Sequence, residues 1–432
     1  MITKQLLEQI EGEASVYFDI KENKVDFATV VFPHFRGMES ILEGKDALDA
    51  LVITPRVCGI CGHAHLMATV RAVEDAYKNA GYDITLTQKA KSIREFTLLM
   101  EMVQNHFKWF YMVIHPELEK LTGSSGEKRV LKGAYAASLA AKAIAVFGGQ
   151  WPHSSYMIPG GVTCDPSFVE LLQAQSYLDE LIKFFQKESL GVTIDTFLSF
   201  DSCKDFKSLS SDIADVEAAL ISTAMHEQGF AHDRFLVMGE HDFSHVAKLK
   251  GTRAFKVDSR YLSLEDAYAP ESKSYAKNAL YKEEFYEGGP LSRMMSVALP
   301  IVKNMHRRYK DSAYTRVMAR VFELAYILQY MQKLLQNIDV TQASVIDLPD
   351  IKSLSAEGTG IVEAPRGSLV HKLKLKKGVI QKYNIITPTQ FNIGSSKKSK
   401  LTPVQQAMQG RTQQEALFIF RTFDVCSVCT TH

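Results

Sequence analysis

Two pairs of cysteines near opposite ends of the sequence constrain the fold more than any other feature. Cys58 and Cys61 form the first C-x-x-C pair, and Cys426 and Cys429 form the second. Each pair is followed closely by histidine. Two thiolates on one turn are a soft, chelating donor set that suits zinc, iron or nickel. If both pairs serve one site, the fold must bring the two ends of the chain together.

Three kinds of site are compatible with these pairs. Four thiolates can form a structural zinc cage, two C-x-x-C pairs can form redox disulfides, and four sulfurs can hold a catalytic metal centre. Structural zinc modules usually bring their pairs together over a short stretch, whereas nearly the whole chain separates Cys61 from Cys426. This separation favours a large enzyme with a buried cofactor. The remaining cysteines, Cys164 and Cys203, stand alone and are expected to be free thiols.

Size and composition limit the classes of protein to be considered. The 432 residues can bury a large core, and contents of 46% hydrophobic and 23% charged residues are typical of a soluble globular protein. A net charge of +1 gives no indication of nucleic-acid or membrane binding. No signal peptide is visible in residues 1–20, and no uninterrupted apolar run reaches the ~18–20 residues of a membrane span. We expect a cytoplasmic protein, although membrane association or export through a partner stays compatible with the sequence.

Hydrophobic periodicity predicts a mostly helical protein with small β elements near both ends. The predicted hairpin strands are Ala14–Ile20 with Lys24–Phe32, and Lys372–Val379 with Lys382–Ile386. Helical patterns cover His65–Gly81, Thr87–Ile114, Ala134–Phe147, Ser167–Lys187, Asp212–Gln228, Ser296–Tyr309, Ala313–Gln336, Thr402–Gln409 and Gln413–Phe423. Shorter strands are expected around Phe235 and Phe255.

The domain organisation is expected to be simple. No internal repeat or low-complexity linker divides the sequence, so we expect one integrated unit over residues 1–432. The expected fold class is α+β, mostly α, with a core bundle of long helices and small N-terminal and C-terminal hairpin or sheet elements. We place the N-terminal β element at about residues 14–32 and the helical core at about 65–340. The C-terminal β element and the second cysteine pair fall within about 358–432.

Further motifs accompany the two cysteine pairs. The first pair lies in R-x-C-G-x-C-x-x-x-H, from Arg56 to His65, and the second in D-x-C-x-x-C-x-x-H, from Asp424 to His432. Between them stand G-G-x-x-P-H, Y-E-G-G-P-L-S-R, E-A-P-R-G at 363–367 and T-P-T-Q-F-N at 387–392. In this order the motifs resemble the large, catalytic subunit of nickel–iron hydrogenases, and they are spread over the whole chain. The resemblance implies the hydrogenase large-subunit fold.

The resemblance implies a nickel–iron centre bound by the four cysteines. Cys58 and Cys426 would be terminal nickel ligands, while Cys61 and Cys429 would bridge nickel and iron. The iron would carry cyanide and carbon monoxide supplied by maturation proteins. Metal binding would keep all four thiols deprotonated.

A magnesium site is implied as well. The motif R-G-x-E ends at Glu39, whose carboxylate is a hard ligand of the kind that magnesium prefers. By resemblance, the backbone carbonyl of Ile385 and the side chain of His432 would complete the protein ligands of this ion.

Three residues are implied in catalysis. Heterolytic cleavage of dihydrogen produces a hydride and a proton, so a base must lie beside the metal. By resemblance, the Cys426 thiolate takes the proton and passes it to Glu11, which stands in I-E-G just before the first strand. Arg366 is the alternative base, but a guanidinium normally stays protonated in proteins. We therefore expect Cys426 and Glu11 to form the exit route, with Arg366 as an electrostatic partner.

Other residues are implied to surround the metals. His65 would orient the site by hydrogen bonding to a bridging cysteine, and Asp424 would orient Arg366. Pro365 would belong to this surrounding shell, and the Thr389 hydroxyl would donate to an iron-bound cyanide. Two departures from the family pattern are Asn105, in place of a common aspartate, and Val425, in place of a proline.

The implied function is uptake of dihydrogen, with protons and electrons as products. The two remaining cysteines are too few to bind a four-thiolate iron–sulfur cluster, so an iron–sulfur small subunit is expected as partner, in a heterodimer or a larger oligomer. Maturation proteins and a C-terminal endopeptidase are further expected partners. The alternative is a hydrogen-sensing regulatory hydrogenase with low turnover, for which the bulky Ile60 is a small indication. The related quinone-site subunit of respiratory complex I lacks the nickel cysteines, all of which are present here.

Overall fold

The structure is a computed structural model that describes residues 1–8, 10–123, 129–239 and 257–432. Its α-helices are α1 Met38–Leu42, α2 Ala50–Ile53, α3 Gly62–Asn79, α4 Gln88–Trp109, α5 His115–Thr122, α6 Val130–Gly148, α7 Phe168–Phe184, α8 Ile194–Leu198, α9 Asp212–Ser222, α10 Pro290–Val297, α11 Pro300–Tyr309, α12 Ala313–Gln336, α13 Pro388–Asn392, α14 Pro403–Met408, α15 Gln413–Thr422 and α16 Ser427–Thr430. Its strands are β1 Ile2–Leu6, β2 Ser15–Lys21, β3 Lys24–Val31, β4 Met157–Ile158, β5 Gly161–Val162, β6 Leu262–Asp266, β7 Lys277–Tyr281, β8 Glu357–Ala364, β9 Gly367–Lys376 and β10 Val379–Ile386.

The predicted N-terminal hairpin is confirmed. Strands β2 and β3 pair antiparallel, and the two residues between them, Glu22 and Asn23, have φ of 48° and 61°. Positive φ at both central positions is typical of the tight turn that matches the twist of a hairpin. A third strand, β1, pairs with β2. Strand β1 was not predicted. Its residues alternate only between exposed and half-buried positions, so they form no clear alternation of apolar and polar side chains.

Long helices form the core, and most of the predicted helices are confirmed. The side chain of Thr87 caps the start of α4, which continues through a π-helical turn at Phe110–Ile114 into α5. Helix α7 likewise ends in a π-helical turn, at Phe185–Leu190. Helix α9 ends at Ser222, before the predicted end at Gln228, because Ala224 adopts a left-handed conformation.

One predicted helix is wrong. The segment Ser296–Tyr309 is not continuous, because α10 ends at Val297 and α11 begins at Pro300. Ala298 between them has a φ of 66°, and a proline at the first helical position lacks the amide donor that a continuing helix would need.

The strands predicted around residues 235 and 255 are not confirmed. Phe235 forms only an isolated bridge with Glu287. Phe255 lies outside the residues that the structure describes.

The C-terminal sheet packs directly on α3. Strands β8, β9 and β10 are antiparallel in that order, which confirms the predicted hairpin around residues 377–378 and adds β8 as a third strand. Gly358 and Gly360 of β8 touch the backbone of α3: a Cβ atom at these positions would lie 2.0 Å from the Ala72 oxygen and 1.9 Å from the Ala68 oxygen. Only glycine allows this approach. The close contact brings the helix that follows the first cysteine pair against the strands that flank Pro365 and Arg366.

Helix α6 is the one described helix that is long and apolar enough to cross a membrane by length and composition alone. In its most apolar 18-residue window, 44% of the residues are buried inside the protein. A single helix of this kind is weak evidence for a membrane span, because core helices share these properties.

The predicted fold class, α+β and mostly α, is confirmed by this arrangement of helices and small terminal sheets. The single integrated unit over 1–432 stays a prediction.

Candidate metal centre

The four cysteines of the two C-x-x-C pairs converge on one buried point. The sulfur of Cys58 lies 3.5 Å from that of Cys426, and the sulfur of Cys61 lies 3.5 Å from that of Cys429. The Cys426 and Cys429 sulfurs are 2.9 Å apart. All four ligand atoms lie within 4.8 Å of one another, and none of the cysteines is in a disulfide. One cluster that combines both pairs is the geometry of a metal site, and it disfavours two separate redox disulfides.

The first pair is held at the start of α3. Cys58 follows a short helical turn, and Cys61 immediately precedes the first residue of the helix, Gly62. The carboxylate of Glu101 accepts the amide hydrogens of His63 at 2.9 Å and Ala64 at 3.1 Å. This buried carboxylate caps the helix and fixes the turn that carries the two sulfurs.

The second pair is held by the N-terminal segment. Cys426 forms a parallel bridge with Glu11, and the Ser427 amide donates to the Glu11 carbonyl at 2.9 Å. The Glu11 side chain lies against the first pair, because a Cβ at Gly59 would be 2.9 Å from Glu11 Oε1. Burial raises the pKa of Glu11, and the Cys58 thiolate raises it further, while nearby cations oppose the shift. A carboxyl with a raised pKa beside a thiolate is suited to accept and release protons.

Arg366 is buried beside the cluster. Its guanidinium donates to Asp424 Oδ1 at 3.2 Å and to Asn105 Oδ1 at 3.3 Å. Arg320 donates to the other carboxylate oxygen of Asp424 at 2.8 Å. Although burial alone would lower the pKa of Arg366, the charges of Asp424 and the thiolates raise it well above its usual value. Arg366 is therefore a fixed cation that faces the sulfurs.

Two buried polar atoms near the cluster, Nε of Arg366 and Oγ1 of Thr389, have no hydrogen-bond partner among the residues that the structure describes. Leaving a buried donor unpaired costs about 1–3 kcal/mol, so such atoms call for an explanation. From the sequence, Thr389 was expected to donate to an iron-bound cyanide and Arg366 to lie beside the metals as an electrostatic partner. The unpaired donors and the soft four-sulfur donor set together fit a nickel–iron centre whose iron carries small acceptor ligands.

The residues of the implied magnesium site also lie together. Oε1 of Glu39 accepts from the Ile385 amide at 2.7 Å and lies 3.7 Å from Nε2 of His432. The same His432 nitrogen lies 2.8 Å from the Ile385 carbonyl oxygen. A carboxylate, a carbonyl and an imidazole on three separate segments are a donor set that suits a hard divalent cation.

Comparison with known proteins decides the family. The model of the nickel-dependent hydrogenase family matches residues 36–115 and 131–432 of this chain. The chain belongs to the nickel-dependent hydrogenase family. The four clustered cysteines fit this assignment, and the predicted enzyme class, a nickel–iron hydrogenase, is confirmed.

Relatives of this hydrogenase match it over nearly their full length. It is 25% identical to the large subunit of the periplasmic [NiFeSe] hydrogenase of Desulfomicrobium baculatum, with 94% of this chain and 88% of the relative covered. It is 26% identical to sulfhydrogenase 2 subunit alpha of Pyrococcus furiosus, with 98% and 97% covered. The solved Ni-Fe-Se hydrogenase from D. vulgaris Hildenborough superimposes with a TM-score of 0.81, at 21% identity and with complete coverage of both chains. The hydrogenase large-subunit fold predicted from the sequence is therefore confirmed.

The structure also shows residues whose positions the sequence did not reveal. Buried Arg293 donates to the Ala364 and Pro365 carbonyls, each at 3.0 Å, and so fixes the turn that carries Arg366. Its charge is balanced by Glu323, which it contacts at 2.6 Å and 2.8 Å, and by Glu363 at 3.1 Å. The motif that contains Arg293 is visible in the sequence, but its partners lie 30 to 72 residues away. Arg320 was likewise not predicted, because its partner Asp424 lies 104 residues away.

Proposed function

We propose that this hydrogenase large subunit splits dihydrogen heterolytically in the uptake direction and delivers the electrons to an iron–sulfur small subunit. The observation that carries the proposal is a cluster of four buried thiols beside a buried, fixed guanidinium and a half-buried carboxyl of raised pKa. Heterolytic cleavage of H–H yields one proton and one hydride, and removal of two electrons from the hydride leaves a second proton. A nickel–iron centre, when bound, supplies the acceptor for the electron pair, and the four cysteines would hold it.

The remaining steps are assigned to side chains of this chain. The Cys426 thiolate takes the first proton on its sulfur, and Glu11, whose backbone pairs with Cys426, takes it onward. Arg366 is not the base, because neighbouring negative charges raise its pKa and keep it protonated. Its role is to stabilise the negative charge of the cluster and to donate through Nε to an iron-bound ligand. Asp424 and Asn105 hold it in place.

The test of the cofactor is metal analysis with infrared spectroscopy on the purified complex. We expect about one nickel and one iron per chain in the four-cysteine site, as its soft donor set favours. Absorption bands are expected in the cyanide and carbonyl stretching regions. Zinc alone, without these bands, in protein made together with its maturation proteins would overturn the proposal. Turnover with an artificial electron acceptor then separates an uptake enzyme from a hydrogen sensor.

Glu11→Gln is predicted to block proton exit. The amide keeps the shape of the side chain but cannot carry the proton, and loss of a general base typically costs about 10²–10⁴-fold in rate. Exchange between deuterium gas and solvent protons should fall by this factor, while metal content and infrared bands stay unchanged. The matched control is Glu13→Gln, since Glu13 is an exposed carboxylate paired with His34. Equal exchange rates in the wild type and Glu11→Gln would remove Glu11 from the route.

The proposal also includes an iron–sulfur small subunit as partner, a magnesium ion and a location in the cytoplasm. An iron–sulfur small subunit is supported because one of the relatives is named a large subunit. In the described part of the chain, the four cysteines are also the one group of three or more His, Cys, Asp or Glu side chains close enough together to bind a metal, so no second cluster of such ligands is seen there. A magnesium ion is assigned to Glu39, the Ile385 carbonyl and His432. We place the enzyme in the cytoplasm, with maturation proteins and a C-terminal endopeptidase acting before assembly.

A further inference from the structure

A chain of buried hydrogen bonds runs from Cys429 into the C-terminal sheet. His65 Nε2 lies 3.9 Å from the Cys429 sulfur, and His65 Nδ1 lies 3.0 Å from Nε2 of His371. On its other side, His371 Nδ1 lies 2.8 Å from the Tyr383 hydroxyl and 3.1 Å from that of Thr69. All of these groups are buried. Of these groups, the function proposed above uses only Cys429, as one of the four cysteines.

The positions of the chain members follow from the packing of the sheet on α3. His65 and Thr69 are one turn apart on the helix, so their side chains share a face. His371 on β9 and Tyr383 on β10 belong to paired strands that cover this face. The contact is therefore built by the same close approach that Gly358 and Gly360 allow.

Protons can be placed along this chain because both histidines are neutral. Both rings are fully buried, and their nitrogens contact sulfur, imidazole and hydroxyl groups rather than a carboxylate, so a positive charge on either ring would be buried without a counter-ion. A neutral imidazole has one donor nitrogen and one acceptor nitrogen. A metal-bound Cys429 thiolate can only accept, so Nε2 of His65 carries the hydrogen. His65 Nδ1 then accepts from His371 Nε2, and His371 Nδ1 accepts from a hydroxyl.

The hydroxyls at the far end agree with this direction. Thr54 donates its hydrogen to the Ala50 carbonyl at 2.8 Å and also touches Thr69 at 2.8 Å. Thr69 donates to the His65 carbonyl at 3.0 Å, which leaves the Tyr383 hydrogen for His371. In this assignment the hydrogens of the Tyr383 hydroxyl, His371 Nε2 and His65 Nε2 each point toward the sulfur, and the Thr69 oxygen lies beside His371 Nδ1 without donating to it.

We propose that His371, oriented by Tyr383 and Thr69, is a positioning residue that fixes the hydrogen of His65 on Nε2, so that Cys429 always receives a hydrogen bond from a neutral donor. The inference rests on the proposed nickel–iron function. A hydrogen bond to a ligating sulfur withdraws electron density from it and tunes the metal it binds. It also makes Cys429 a poorer proton acceptor than it would be without this hydrogen bond.

The test compares His371→Met with His371→Gln in the metal-loaded complex. Glutamine can still donate an N–H to His65, whereas methionine has similar bulk and no donor. We expect the carbonyl band of His371→Met to move to lower frequency, because a more electron-rich iron donates more strongly into the ligand. The band of His371→Gln should stay near the wild-type position. Equal bands in all three proteins would overturn the proposal.

A second measurement covers the case in which His371→Met does not assemble. Thr69→Val with Tyr383→Phe removes both hydroxyls that face His371 Nδ1, and the same downward shift is expected. Tyr77→Phe is the control, since it removes a hydroxyl that donates from the same helix to Pro349. Nitrogen NMR of labelled histidine, in a diamagnetic state of the wild type, should show His65 protonated on Nε2 alone. Protonation on Nδ1 would contradict the proposal, whereas absent carbonyl bands would contradict the proposed cofactor instead.

Discussion

Replacing Cys426 with serine should remove nickel from the protein and reduce hydrogen turnover to background. Burial alone would raise the pKa of the Cys426 thiol, but hydrogen bonds from the neighbouring thiols and the charge of Arg366 lower it. The lowered pKa favours the thiolate form of Cys426, which is a soft metal ligand. A serine hydroxyl is a hard ligand and cannot replace it. In the proposed function, Cys426 is also the first proton acceptor, so its loss removes a ligand and a base together.

The matched control for Cys426→Ser is Cys164→Ser. Cys164 is a half-buried free thiol outside the cluster, and burial raises its pKa to about 11, so it carries no charge at neutral pH. Nickel content and turnover should stay at wild-type values in this variant. Full nickel occupancy in Cys426→Ser, measured by elemental analysis on assembled complex, would show that the four-sulfur assignment is wrong.

Arg366→Lys should retain the metals and lose most of the activity. The substitution keeps the positive charge but removes the planar fork that contacts Asp424 and Asn105, together with the buried Nε that has no protein partner. Removing a preorganised donor of this kind usually costs about 10²–10³-fold in kcat. We therefore expect a fall of this size in hydrogen oxidation, with a displaced cyanide band in the infrared spectrum.

The pH dependence provides a second readout for Arg366. Because its pKa is raised above an already high usual value, the guanidinium stays charged at every pH at which the folded protein can be assayed. The fold-loss caused by Arg366→Lys should therefore be the same at pH 6 and pH 9. A loss that appears only at high pH would indicate that Arg366 titrates as a base. Arg307→Lys, at an exposed position of α11, serves as the control.

Short motifs were enough to predict the parts of the site that are local in sequence. The two C-x-x-C pairs, Arg366 and His65 were identified from neighbouring residues, and the structure brings the cysteines together. What the sequence could not reveal are contacts that only the tertiary fold creates. Arg293 lies 30 to 72 residues from the groups it contacts, and His371 lies 306 residues from His65, so no spacing rule could connect them to the site.

Errors in predicting the elements have similar physical causes. Strand β1 alternates only between exposed and half-buried positions, so its pairing depends on β2 rather than on a hydrophobic pattern of its own. The break between α10 and α11 could have been predicted, since Pro300 interrupts the helical segment in the sequence itself. The helical spacing of apolar residues continues across Pro300, and for this reason one continuous helix was predicted over Ser296–Tyr309.

The separation of the two cysteine pairs has a consequence for biosynthesis. The ligands that meet in the cluster are 368 residues apart, and Glu11, which holds the second pair, is farther still. At a synthesis rate of about 5–20 residues per second, Cys58 and Cys61 wait about 20–70 seconds for their partners. During that time their two thiols are accessible to solvent, because the second cysteine pair and the core that buries the site have not yet formed. Metal insertion into the complete four-cysteine site must therefore follow translation. Any protein that binds Cys58 and Cys61 earlier must release them before the segment with Cys426 and Cys429 packs against them.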